Sequence, residues 1–214
     1  MDTTISKEEL TQTRTFFNTL ETIYPPSEGV PFNREKINGV VTYTCCPQET
    51  KRNRILRYVH GGSFALGGIE SHKAFISHFS KKTQTKIVFV KYDTPLKHPY
   101  SNGLKDFKPV YQEIYVRNKE SRMITGGDSA DGIDINTLTP SNLSFSTFPP
   151  SLIMVGKDEI LYDGGKNLVK TIKKNQPDLI LVEFEGVSHV WPLTDISSGS
   201  SQKLFQKINK FLNH

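Results

Sequence analysis

Residues 122–132 read RMITGGDSADG, a strand-like run broken by glycines just ahead of a serine. Arg122 to Thr125 have the composition of a short strand, Gly126 and Gly127 end it, and Asp128-Ser129-Ala130 follow at the break. A serine at a tight turn from strand to helix projects its hydroxyl above the sheet, and small neighbours are needed because the backbone there is crowded. A lone Gly-x-Ser tripeptide is weak evidence, since Ser129 also suits a helix N-cap in a glycine-rich turn. The rest of the chain decides between the two.

Upstream, residues 37–46 and 54–59 (RILRYV) read as strands, the second running into His60-Gly61-Gly62. A helix over 71–82 leads to the apolar strand 86–92 (KIVFVKY), followed by a helical stretch over 102–118. Downstream come strand 151–155 (SLIMV), helix 163–174, strand 179–184 (LILVEF) and a final helix over 201–212. Near the start, Ser6 and Glu9 form a capping-box pattern, and Leu10, Phe17, Leu20 and Tyr24 recur at helical spacing until Pro25-Pro26. Residues 1–36 therefore read as an N-terminal helical lead-in to a single domain spanning 1–214. Strands apolar on both faces and alternating with helices predict an α/β architecture with a doubly wound, mostly parallel sheet covered on both sides. Such sheets carry their chemistry at the carboxyl ends of the strands.

Four strand ends hold unusual residues: His60-Gly61-Gly62, Asp128-Ser129-Ala130, Asp158 and His189. Glycines at 61 and 62 let backbone N–H groups approach a reacting carbonyl and donate to the oxyanion that develops on it. Asp158 stands two residues beyond SLIMVG, and His189 five beyond the strand ending at Phe184, so the order is serine, acid, histidine. Asp163 is a rival acid, set aside because Asp158 is nearer the strand end. His189, between Ser188 and the apolar Val190-Trp191, also suits a buried structural histidine. His60 reads as a structural hydrogen-bonding residue beside the glycine loop rather than as a base. His72, His78, His98 and His214 show no paired metal-ligand spacing.

With these residues in place the chain resembles the hormone-sensitive-lipase-like branch of the α/β hydrolases, a family of serine carboxylesterases. The matching segments are HGGSFALGG (60–68), KIVFVKYDTPLKHPY (86–100), GGDSADG (126–132), FPPSLIMVGKDEILYD (148–163) and GVSHVWPL (186–193). The resemblance implies an α/β hydrolase fold, Ser129 as nucleophile, His189 as its base and Asp158 as the group orienting His189. It also implies an oxyanion hole from Gly61, Gly62 and the N–H of Ala130, a small-molecule ester with a short acyl group as substrate, and no cofactor.

Two departures stand out. The family elbow reads G-x-S-x-G, whereas Asp131 occupies the last position here and Gly132 follows it. An ionised Asp131 would raise the cost of an oxyanion formed near Ser129, since like charges repel strongly away from water. The second departure is length: only 21 residues run from Ala130 to Pro150. One parallel crossover takes a dozen or more residues, so a central strand and much of the cap region are expected to be missing. Closing the gap would move Asp158 by about one strand spacing, ~4.8 Å, where catalytic groups tolerate ~0.5 Å. Leaving it open would bury unpaired strand edges. Two rival readings follow: a shortened, catalytically impaired relative, and a small-molecule-binding protein without catalysis. Retention of Ser129, Asp158 and His189 counts against the latter.

Composition removes other classes. A chain of 214 residues, 36 % hydrophobic and 23 % charged, is a globular domain with a real core. Its two cysteines, Cys45 and Cys46, are adjacent, which excludes a disulfide framework. The first ten residues carry Asp2, Glu8 and Glu9, and no apolar run approaches the ~18 residues of a membrane span, so a cytoplasmic address is expected. The net charge is +5, but lysines are dispersed, and Lys81-Lys82 and Lys173-Lys174 lack interleaved aromatics. A solvated face, with no nucleic-acid partner, is the expectation.

Overall fold

Ile87, Val88, Phe89 and Val90 are all buried, as a strand in the middle of a twice-covered sheet demands. They belong to β4 (Lys86–Lys91) of a five-stranded sheet with β1 (Phe32–Ile37), β2 (Val40–Cys45), β3 (Arg54–Val59) and β5 (Arg122–Gly127), in the order β1-β2-β4-β3-β5. β3 pairs in parallel with both β4 and β5, whereas β2 runs antiparallel to β1 and β4. This computed structural model describes residues 6–51, 53–62, 65–92, 101–129 and 149–213. The chain divides into two compact units, Met1–Asp131 and Gly132–His214.

In the first unit, alternate side chains of the sheet feed two apolar layers. Ile55, Val88 and Val90 pack with Ile37 and with Val110 and Ile114 of α3 (Ser101–Arg117). On the opposite layer Tyr58 meets Phe89 (ring centroids 6.1 Å apart) and Phe75 and Phe79 of α2 (Ile69–Thr83). α1 (Lys7–Asn18) begins at the expected capping box: the Ser6 hydroxyl accepts from the Glu9 amide, and the Glu9 carboxylate accepts from the Ser6 amide. It lies against α2.

The second unit contains β6 (Leu152–Gly156), α4 (Tyr162–Ile172), β7 (Ile180–Phe184) and α5 (Gly199–Leu212). β6 and β7 pair in parallel, Gly156 opposite Phe184, with α4 as the crossover. Val169, Ile172 and Leu179 form its core with Ile153, Leu168 and Leu181.

Two expectations change. The strand read over 37–46 is the second arm of a hairpin, turning at Asn38-Gly39 with φ of +49° and +86°. Asn-Gly suits such a turn because both residues tolerate positive φ. Consequently the lead-in is not helical throughout: α1 ends at Asn18, a 3₁₀ turn spans Thr19–Thr22, and residues 32–37 are β1. The expected loss of a central strand and cap concerns residues 130–150, of which 130–148 lie outside the described residues, as do Ala130 and Asp131 individually. No helix among the described residues is long and apolar enough to cross a membrane.

Candidate active site

In the first unit, β3 and β5 run side by side, Tyr58 opposite Gly126 and Val59 opposite Gly127, so the loops at their carboxyl ends emerge together. His60-Gly61-Gly62 leaves β3 and Asp128-Ser129 leaves β5. A Cβ on Gly61 would overlap the Ser129 carbonyl oxygen and sit 2.6 Å from Asp128 Oδ2, so the two loops touch only because Gly61 has no side chain. Gly62 has φ of +112°, and its carbonyl accepts from the amides of Ala65 (2.9 Å) and Leu66 (2.7 Å), closing a tight turn. Arg14 of α1 donates from Nε to the Ala65 carbonyl at 2.7 Å, tying the helix to this loop.

Asp128 is the hub of these contacts. Its Oδ1 accepts from the Tyr58 hydroxyl (2.7 Å) and the Gly61 amide (2.9 Å), and its Oδ2 lies 3.3 Å from His72 Nε2. Burial by itself would raise the Asp128 carboxyl, but the charge and hydrogen bond of His72, the Tyr58 hydroxyl and the Gly61 amide outweigh it and hold the group below its usual value. Tyr58 is pushed well up, first by burial and then by the neighbouring Asp128 charge.

The Gly61 amide is therefore committed to Asp128, which corrects its expected role as an oxyanion donor. Its contribution is the bare backbone that lets the loop lie against Ser129. His60 takes the structural role expected of it: Nδ1 donates to the Gly61 carbonyl at 2.8 Å, the ring stacks on Tyr92 at 4.3 Å, and the Tyr92 hydroxyl donates to the His60 carbonyl at 2.8 Å. Burial lowers His60 to about 4, so it is neutral near pH 7.

In the second unit, His189 follows β7 and meets the turn that follows β6. Its Nδ1 lies 2.7 Å from Oε2 of Glu159, whose side chain is only 7 % exposed. Asp158, one residue earlier, is exposed and makes no side-chain hydrogen bond or ion pair among the described residues, and Asp163 is exposed in the first turn of α4. The turn places Glu159: its amide reaches back to the Gly156 carbonyl (3.4 Å) and its carbonyl accepts from the Tyr162 amide (3.1 Å). His189 Nε2 is buried and has no hydrogen-bond partner among the described residues. Val190, next in the chain, has φ of +46° and ψ of +36°, a left-handed conformation costly for a β-branched residue. Trp191 follows, its ring 4.9 Å from Phe184.

Residues 56–133 match the alpha/beta hydrolase fold family. An esterase from the bacterial hormone-sensitive lipase family has a TM-score of 0.88 to this chain at 18 % identity, covering 98 % of this chain and 92 % of that one. The chain has the α/β hydrolase fold. An esterase of Acinetobacter venetianus is 29 % identical to this chain over 82 residues, 38 % of the chain and 27 % of the relative. The carboxylesterase/phospholipase LipF of Mycobacterium tuberculosis is 30 % identical over 80 residues, 37 % of the chain and 21 % of the relative. These matches span about a quarter of the curated relatives' length, at 27 % and 21 %. The family match runs from β3 to just beyond Ser129, so it covers the glycine loop and the Asp128-Ser129 turn, while Glu159 and His189 lie outside it.

Proposed function

We propose that this α/β hydrolase is a serine carboxylesterase acting on short acyl esters, with Ser129 as nucleophile, His189 as base and Glu159, in place of Asp158, as the acid that orients His189. The observation that carries this reading is the 2.7 Å pair between His189 Nδ1 and Glu159 Oε2, with Nε2 left without a partner among the described residues. A carboxylate accepting a hydrogen bond from Nδ1–H fixes the tautomer whose Nε2 lone pair takes a hydroxyl proton, and stabilises the imidazolium that results.

Ser129 Oγ then attacks the ester carbonyl as its proton passes to His189 Nε2, and the oxyanion accepts from the backbone amides of Gly62 and Ala130. His189 returns the proton to the departing alkoxide, leaving an acyl group on Ser129. Water, deprotonated by the same nitrogen, attacks the acyl carbonyl, and collapse of the second tetrahedral intermediate releases the carboxylic acid and restores the Ser129 hydroxyl. The esterase names of the relatives support this chemistry. Hydrolysis of p-nitrophenyl acetate by the protein beside its Ser129→Ala variant tests it: turnover that falls to background in the variant supports the assignment, and absent or unchanged turnover rejects it.

A further inference from the structure

We infer that Asp128 is a positioning residue, whose carboxylate clamps the glycine loop after β3 onto the turn carrying Ser129. This rests on the reading of Ser129 as a nucleophile and extends it to the support of the loop that serves its oxyanion. Tyr58 and Gly61 lie 70 and 67 residues from Asp128 in the chain, yet both donate to the same carboxylate oxygen. His72 of α2 approaches the other oxygen. One side chain thus joins β3, the loop beyond it and α2 to the residue covalently bonded to Ser129.

The chemistry explains an acid at this position. Three donors converge on a side chain that is 15 % exposed, and only a carboxylate offers acceptors on both of its ends. Hydrogen bonds to an ionised acceptor are short and strong, which suits a group that must resist a load. The load is visible: the Gly61 backbone is pressed so close to the Ser129 carbonyl that no Cβ fits between them. Releasing the Gly61 amide would let the loop back away, carrying the Gly62 amide with it.

Asparagine separates clamp from charge. Its carbonyl can still accept from Tyr58 and Gly61, while its NH₂ faces His72 Nε2, a pairing satisfied when the His72 proton sits on Nδ1, 3.1 Å from the Gly68 carbonyl. Because an amide carbonyl is a weaker acceptor than a carboxylate, the clamp loosens without opening. Alanine removes it.

The test measures hydrogen exchange at the Gly61 amide and the rate at which a fluorophosphonate labels Ser129, in wild type, Asp128→Asn and Asp128→Ala. Exchange should accelerate and labelling should slow in that order, Asp128→Ala labelling roughly 10- to 100-fold more slowly than wild type, less than the roughly 10²- to 10³-fold that removal of an oxyanion donor costs because the Gly62 amide is displaced and not removed. Asp128→Asn should fall between, and suffices if Asp128→Ala does not fold. A merely stabilising role would lower the melting temperature and leave the labelling rate of the folded fraction unmoved. A labelled wild type whose Asp128→Asn variant exchanges faster at Gly61 but labels at the same rate overturns this inference alone, as does unchanged Gly61 exchange. A wild type that never labels at Ser129 overturns the esterase reading and this inference together.

Discussion

Oε2 of Glu159 lies 2.7 Å from Nδ1 of His189, whereas Asp158, its neighbour in sequence, is turned to solvent. Adjacent carboxylates in a tight turn point in different directions, so one residue of register decides which of them meets the imidazole. Glu159→Gln, which leaves the shape but favours the wrong tautomer, should lower kcat by roughly 10² to 10⁴, and Asp158→Asn should leave it within about twofold. A larger loss in Asp158→Asn than in Glu159→Gln would return the acid to Asp158.

Val190 stores strain beside His189. A left-handed conformation costs about 1–2 kcal/mol for a residue with a Cβ, less for asparagine. Val190→Asn, which holds the same backbone conformation at less cost, should therefore raise the free energy of unfolding in urea by about 1 kcal/mol and leave esterase turnover within about twofold. Lower stability in the variant would show that Val190 is retained for its packing instead.

Acid should destabilise the fold in a defined window. His60 drops from 6.5 to about 4 because burial, and then the nearby His72, disfavour its charged form. Below pH 6.5 the unfolded chain takes up a proton that folded His60 refuses, so stability falls from pH 6.5 towards pH 4, by roughly 3 kcal/mol in all. His78, also lowered by burial, acts in the same direction. Asp128, lowered from 3.8, contributes stability that is present above that value and lost only as pH falls through its folded value, below this window. Urea melts at pH 7.5 and pH 5 should differ markedly for wild type and much less for His60→Gln. Equal differences would contradict the assignment to His60.

The fold was legible because its signals are local. Apolar runs such as KIVFVKY announce strands buried on both faces, and the capping box at Ser6 announces α1. The hairpin at Asn38-Gly39 carried an equally local signal in its dipeptide, but its first arm, FNREKI, is exposed from Asn33 to Lys36 and shows no apolar alternation, so only the second arm reads as a strand. The candidate site can be read from the sequence as residue types in a given order, and its contacts cannot. Nothing in Lys157-Asp158-Glu159 states which carboxylate faces His189, since that depends on the backbone path between β6 and α4. The Gly61 amide is a second case: it donates to Asp128, a partner 67 residues away that no spacing rule connects to it.

Whether Ser129 and His189 act as one catalytic unit is read from p-nitrophenyl acetate turnover by Ser129→Ala, His189→Ala and the double variant. Groups that share one step lose activity non-additively, so all three should fall to the same floor. Turnover that survives in Ser129→Ala, or a double variant well below either single one, would contradict the account.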